Sequence, residues 1–220
     1  MEVKIIPAIL ASSRDEFEFN LKKVRGIVNR VQVDIIDGVF AEKETISPEI
    51  LTNYVSWGMD FEVHLMVNKP ELWLSRCKDG VVAVVGQVEM MTNQTSFIAD
   101  AELLGFEVGL AYDIKTNLDS LGEVIDGVDK MVLLAVTAGK QGQSFDERVL
   151  KKIQQVRAIS KRIVIGVDGG LDERRIKQCL AVEDEFNHGE WKMEFVVGSN
   201  LWQADNVIDK LEKLQYLGIK

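Results

Sequence analysis

Short runs dense in valine, isoleucine, leucine and methionine recur along the chain at intervals of roughly 20 to 32 residues, each followed by a segment with helical periodicity. The runs are Val3–Ile6, Val31–Ile36, Phe61–Met66, Val81–Val88, Phe106–Ala111, Met131–Val136, Ile163–Asp168 and Glu194–Gly198. Near-continuous apolar strands point to a parallel sheet covered on both faces. Between them, Ser13 and Glu16 have capping-box spacing, ahead of Phe17, Leu21, Val24 and Val28 on one helix face. Ser47-Pro48-Glu49 and Lys69-Pro70-Glu71 put proline where a first helical turn tolerates it. Asp146 and Glu147 stand at the start of a helix through Val149, Leu150, Ile153 and Val156, where acids meet the positive end of the dipole. A last helix is expected from about Asp205 to Leu217, periodic at Val207, Ile208, Leu211 and Leu214.

Eight strand–helix units in 220 residues predict an α/β chain folded as a (β/α)₈ barrel, one domain over residues 1–220, slightly compact against the ~250 typical of that fold. An open doubly wound sheet is the competitor. It usually carries a glycine-rich turn after its first strand, where this chain has Pro7-Ala8-Ile9-Leu10-Ala11-Ser12.

Composition removes other classes. A hydrophobic content of 46% excludes wholesale disorder. With 26 Lys+Arg against 35 Asp+Glu the net charge is -9, and no basic stripe suggests nucleic acid. No apolar run approaches the roughly 20 residues that cross a bilayer, so no membrane partner is expected. Met1–Ile6 lacks a signal peptide's build. Cys77 and Cys179 are too few for a disulfide framework and have no metal-ligand spacing, so they read as reduced thiols of a cytoplasmic protein.

Strand parity locates the chemistry. Gln32, Asp34 and Ile36 share one face of the second strand, and Val33 and Ile35 the other. Glu62, His64 and Met66 share a face of the third, as do Val164, Gly166 and Asp168 of the seventh. If the apolar faces pack on helices, the polar faces look into the barrel, and Asp34, His64 and Asp168 converge at its C-terminal mouth. Buried carboxylates cost several kcal/mol unless paired. Any one of the three fits a structural ion pair; together, each ending a different strand, they favour a site.

Anion signals lie at the last three junctions. Asp168-Gly169-Gly170-Leu171-Asp172 and Val197-Gly198-Ser199-Asn200 put glycine ahead of a helix, and Ala138-Gly139-Lys140-Gln141-Gly142-Gln143 offers bare backbone N–H groups with a lysine. Barrels bind phosphate at the loops after strands seven and eight. Each glycine pair alone also reads as a plain turn, and Lys140 equally as a solvated loop lysine. His188, in a polar acidic stretch, is expected at the surface.

Pro7-Ala8-Ile9-Leu10, Val33-Asp34-Ile35-Ile36-Asp37-Gly38, Val63-His64-Leu65-Met66-Val67-Asn68-Lys69-Pro70-Glu71, Gly142-Gln143-Ser144-Phe145, Val167-Asp168-Gly169-Gly170 and Val197-Gly198-Ser199 occur in one order over nearly the whole chain. Together they resemble the signatures of the ribulose-phosphate 3-epimerase family. The resemblance implies a (β/α)₈ barrel interconverting ribulose 5-phosphate and xylulose 5-phosphate, with Asp34 and Asp168 as acid and base. It also implies a divalent metal (Zn, Fe, Mn or Mg) on Asp34, His64 and Asp168, with Gln32 as a weak fourth ligand. His64, Gly139, Lys140, Gln141, Gly142, Gly169, Gly170, Gly198 and Ser199 would meet a sugar-phosphate substrate. No organic cofactor is expected, and a homo-oligomer is.

The chain departs from the family around the chemistry. Gln32 replaces a histidine ligand, Ala8 a serine, Ile36 a methionine and Gln87 a histidine, although Glu89 keeps the following acid. The loop usually read as Pro-Gly-Phe-Gly-Gly-Gln is Ala138–Gln143. An amide oxygen is a weaker, harder donor than imidazole, so the resemblance with these changes implies either reduced affinity or a harder ion. Metal-free folding with Gln32 hydrogen-bonded to Asp34 is the plainer alternative. Three functions follow: an active epimerase; a barrel that binds sugar phosphate without turnover; and, third, the aldol or decarboxylase branch, whose Asp-x-Lys-x-x-Asp is absent at Asp34-Ile35-Ile36-Asp37.

Overall fold

The computed structural model describes residues 3–119, 121–139, 142–187 and 192–218. Eight parallel strands close in sequence order into one barrel: β1 Lys4–Ile9, β2 Arg30–Ile36, β3 Asp60–Met66, β4 Val81–Gln87, β5 Glu107–Tyr112, β6 Lys130–Leu134, β7 Val164–Asp168 and β8 Met193–Val197. The parallel pairing of β1 with β8, Lys4 opposite Glu194 through Pro7 opposite Val197, closes the sheet and excludes the open doubly wound alternative. The α-helices are α1 Arg14–Val24, α2 Gln94–Leu103, α3 Leu121–Val124, α4 Arg148–Ile159, α5 Glu173–Asn187, α6 Ser199–Trp202 and α7 Val207–Gln215. His188 lies outside the described residues.

Alternation along the strands builds the two cores. Val31, Val33 and Ile35 of β2, Phe61, Val63 and Leu65 of β3, and Ile165 and Val167 of β7 point outward into one large cluster with Phe17, Leu21 and Val24 of α1. Their neighbours in sequence point into the barrel, where small apolar groups such as Ile6, Ala8 and Val196, or Val85, Ala111, Val132 and Leu134, share space with the polar side chains.

The helix signals act with small differences. Ser13 Oγ accepts the N–H of Glu16 at 3.2 Å, but Glu16 reaches one residue beyond the expected box and accepts from Ser12 N at 2.8 Å. Asp146 rather than Glu147 takes the N–H of Arg148, at 3.0 Å. The helical starts at Pro48 and Pro70 lead into 3₁₀ segments instead, Pro48–Trp57, Pro70–Leu72 and Leu74–Arg76. Length accounts for the two short segments after β3. Residues 67–80 must retrace a strand about 20 Å long, and a 3₁₀ turn gains about 2.0 Å per residue against about 1.5 Å for an α-helix. Cys77 and Cys179 are both buried and free, and burial pushes each thiol up to about 12. Among the described residues no helix is long and apolar enough to cross a membrane.

The N-terminal end of the barrel is plugged by charge. Lys130 bonds to Glu62 and, at 2.9 Å, to Glu194, while Glu194 also meets Lys4 and Arg30 meets Glu107 at 2.6 Å. Three cations and three acids thus close the end opposite the predicted site.

Candidate active site

At the C-terminal mouth a cleft of about 620 Å³, open to solvent, is lined by Asp34, His64, Met66, Gly139, Gly142, Asp168, Gly169, Gly170, Gly198, Ser199 and Asn200, among others. Strand ends supply its floor: Asp34 from β2, His64 from β3 and Asp168 as the last residue of β7. Loops supply its rim. Of the residues expected in the site, Lys140 and Gln141 lie outside the described residues.

Gln32, fully buried beneath the carboxylates, holds them together. Its Nε2 donates to Asp34 Oδ1 at 2.9 Å and to Asp168 Oδ2 at 3.2 Å. Burial, followed by the charge of Asp34, pushes Asp168 up to about 7, against the opposing pull of His64. His64 is held above its ordinary value: burial disfavours the charged ring, but Asp34 and Asp168 outweigh it. The site therefore stores protons near neutrality, as a proton-transfer site requires.

The donor set fits a divalent cation. His64 Nδ1 is buried without a hydrogen-bond partner among the described residues, 3.7 Å from Asp34 Oδ1 and 3.9 Å from Asp168 Oδ2. One ligand atom from each of the three side chains lies within 4.8 Å of the others. Three protein ligands with mixed nitrogen and oxygen donors, open on the cleft side, are what a catalytic cation site offers. Gln32 turns its Nε2, not its oxygen, toward the carboxylates, and its Oε1 is buried without a hydrogen-bond partner among the described residues.

The rim needs its glycines. Gly170 has φ +62°, and a Cβ there would lie 2.5 Å from Phe145 N; Gly169 has φ +103°, and a Cβ there would lie 2.4 Å from Val136 Cγ2. Both positions let the loop after β7 approach the loop after β6 more closely than a side chain permits.

Several residues outside the expected site set also shape the cleft. Trp202 Nε1 donates to Ala8 O at 2.6 Å, clamping α6 to the β1 end. Asp37 accepts Val39 N at 2.9 Å, Phe40 N at 3.1 Å and Asn68 N at 2.7 Å, which ties the β2 loop to the β3 loop and holds its carboxyl below the usual range despite partial burial. Asn200 Oδ1 is buried at the cleft without a partner among the described residues. Ala8 and Met66 line the cleft, and Ile36 packs with Leu10 and Met66 at its wall.

A family model described as the ribulose-phosphate 3 epimerase family matches residues 4–190. The ribulose-phosphate 3-epimerase of Schizosaccharomyces pombe is 28% identical over 186 residues, covering 80% of this chain and 80% of that protein. That of Mycobacterium tuberculosis strain H37Rv is 24% identical over 208 residues, 92% of this chain and 87% of its own. Among solved structures, an orotidine 5'-monophosphate decarboxylase from Methanocaldococcus jannaschii superposes with a TM-score of 0.69 at 13% identity, covering 100% of both chains. A thiamine phosphate pyrophosphorylase from Pyrococcus furiosus gives 0.59 at 16% identity, covering 98% of this chain and 95% of that one. These two likenesses concern the barrel alone.

Proposed function

Because the chain belongs to the ribulose-phosphate 3-epimerase family, we propose that it inverts the carbon beside the ketone of a ketopentose phosphate, with Asp34 and Asp168 as the two proton-transferring carboxylates. The observation that carries this reading is a pair of carboxylates on the cleft floor, bridged by one amide donor and facing one imidazole. Inversion needs a base on one face of the carbon and an acid on the other. Asp168, whose carboxyl burial and the charge of Asp34 push up, supplies the acid, and Asp34 the base. Exchanging these roles runs the reaction backwards. Gln32 orients both groups by donating to one oxygen of each, which leaves their other oxygens to the substrate. When bound by Asp34, His64 and Asp168, a divalent cation would supply positive charge against the enediolate that forms on proton loss. At the rim, the backbone around Gly139, Gly142, Gly169, Gly170, Gly198 and Ser199 takes the phosphate, with Lys140 and Gln141 assigned to the same group.

The test is incubation with ribulose 5-phosphate in deuterated water, with Zn²⁺, Fe²⁺, Mn²⁺ and Mg²⁺ tried in turn. Deuterium at carbon 3 and formation of xylulose 5-phosphate are the expected result. Absence of label with every metal rejects the proposal. One observation favours a second reading, a barrel that binds sugar phosphate without turnover: the Gln32 amide already occupies the space between the carboxylates as a donor to both. Calorimetric binding without exchange would decide for it.

A second expectation concerns the rim. Gly170→Ala places a Cβ against the backbone of Phe145 at a positive φ, so it should raise KM for the sugar phosphate at least about tenfold, equivalent to ~1.4 kcal/mol. An unchanged KM would remove that loop from the phosphate site.

A further inference from the structure

Resting on the reading of Asp34, His64 and Asp168 as a cation-holding set, we infer that Gln87 is a positioning residue that keeps the His64 proton on Nε2, so that the Nδ1 lone pair faces Asp34 and Asp168, and that Glu89 fixes the sense of the Gln87 amide.

Gln87 and His64 are both fully buried, on the neighbouring strands β4 and β3. His64 Nε2 lies 3.0 Å from Gln87 Oε1, and Gln87 Nε2 lies 2.5 Å from Glu89 Oε2. A carboxylate oxygen only accepts, so the amide must turn its NH₂ toward Glu89. Its carbonyl oxygen then faces the imidazole, and only an N–H can meet a carbonyl at that distance. The reversed amide would set two acceptors against each other at Glu89 and would donate to an unprotonated Nε2, the Nδ1–H tautomer, so the contact with Glu89 is what selects the sense.

Glu89 is itself fixed, although it stands at the exposed rim. Its second oxygen accepts the N–H of Asp113 at 2.9 Å. The Asp113 carboxylate accepts Ala138 N at 3.1 Å, and its carbonyl oxygen accepts Lys152 Nζ at 2.6 Å. The chain of bonds thus runs from the imidazole to the loop after β5 and on to the loop after β6, which lines the cleft. On the other side of the ring, Nδ1 is too far from Asp34 and Asp168, at 3.7 and 3.9 Å, for a hydrogen bond. Gln87 is therefore the contact that orders the ring. Attraction between an Nδ1 proton and the two carboxylates would favour the opposite tautomer; the Gln87–Glu89 pair opposes that preference and leaves Nδ1 as a ligand. Such outer partners of a ligating histidine set its tautomer and tune metal affinity.

The chain has 2 histidines, so the ¹⁵N spectrum of the metal-free protein holds two imidazoles, and a His188→Gln variant assigns them. Recorded at a pH where the ring is neutral, the wild type should carry its His64 proton on Nε2. Gln87→Met and Glu89→Leu should each move His64 wholly or partly to the Nδ1–H form, and should weaken binding of Zn²⁺ alone about 10- to 100-fold. Circular dichroism checks that each variant folds. An Nδ1–H wild type overturns the inference, as does either Gln87→Met or Glu89→Leu keeping both the tautomer and the Zn²⁺ affinity. Neither readout requires turnover. A protein that fails the deuterium-exchange test yet shows these tautomers loses the epimerase reading and keeps this one.

Discussion

Asp168→Asn is expected to slow proton exchange at the epimerised carbon by about 10²–10⁴-fold and, in the metal-free protein at alkaline pH, to raise the melting temperature. Both effects come from one carboxyl. Asp168 ends β7 beside Asp34, and burial together with that neighbour pushes it up to about 7. An unfolded aspartate titrates near about 3.9. A carboxyl whose folded value lies above its unfolded one contributes stability that is whole below about pH 4 and is lost as the pH rises through about 7. His64, also raised, acts in the same direction: its contribution is present below an unfolded value of about 6.5 and fades as the pH rises through its higher folded value. Metal-free wild-type protein should therefore melt progressively lower as the pH rises from about 4 through about 7 and beyond in the presence of a chelator. Asparagine keeps the shape and can still accept from Gln32 Nε2, but it cannot ionise, so the variant's melting temperature should change less over that range. Unfolding scans across pH and a deuterium-exchange assay on the same samples check both halves. An exchange rate within tenfold of wild type would take Asp168 out of the chemistry. A steeper alkaline loss in the variant would contradict the account of its burial.

The barrel and the floor of its site are legible from the chain because both depend on local alternation. Each apolar run becomes a strand within a few residues, and the polar members of β2, β3 and β7, namely Asp34, His64 and Asp168, emerge on one side because side chains alternate with period two. What alternation cannot supply is the stagger between strands. Lys130 meets Glu62 and Glu194, 68 and 64 residues away, only because the sheet closes with a particular register, and no local pattern contains that register. The same holds for Trp202, whose indole reaches Ala8 O across 194 residues. Gln32 and Gln87 stand out in the sequence as missing histidines; their hydrogen bonds show what each amide does instead. The first bridges two carboxylates and the second orders an imidazole. Helix type is the other gap. Proline at a first turn marks where Pro48 and Pro70 begin helical segments, but it does not separate 3₁₀ from α.

The largest stability effect is expected at the opposite end of the barrel, from Lys130→Met. Lys130 is 4% exposed, Glu62 0% and Glu194 5%. Two buried acids share this ammonium: Glu194 Oε2 lies 2.9 Å from Nζ, and Glu62 is in direct contact with it. Burial disfavours the charged lysine, yet Glu62 and Glu194 outweigh that and hold it above its ordinary range. Its contribution therefore persists below an unfolded value of about 10.4 and is lost only as the pH rises through the higher folded value. Methionine fills similar volume without charge. Among the described residues, Glu62 would keep only Arg30 as a cation, at 3.8 Å, and Glu194 only Lys4, whose side chain is 54% exposed. Breaking a buried pair in this way costs about 3–5 kcal/mol. For a chain of this size that is roughly 6–20 °C in melting temperature. The triple variant Lys130→Met, Glu62→Gln, Glu194→Gln removes the stranded charges and should recover much of the loss, because well-packed neutral groups often match a buried ion pair. Lowering the pH should narrow the gap between Lys130→Met and wild type, since the stranded acids can then take up protons. Wild-type Glu194, held below its ordinary value chiefly by Lys130 against the effect of burial, loses its own contribution as the pH falls through that lowered value. Turnover at the far mouth should persist in Lys130→Met at temperatures where the variant is folded. A melting temperature within about 2 °C of wild type, less than ~1 kcal/mol for this size, would show that solvent reaches these acids and that the plug is not sealed.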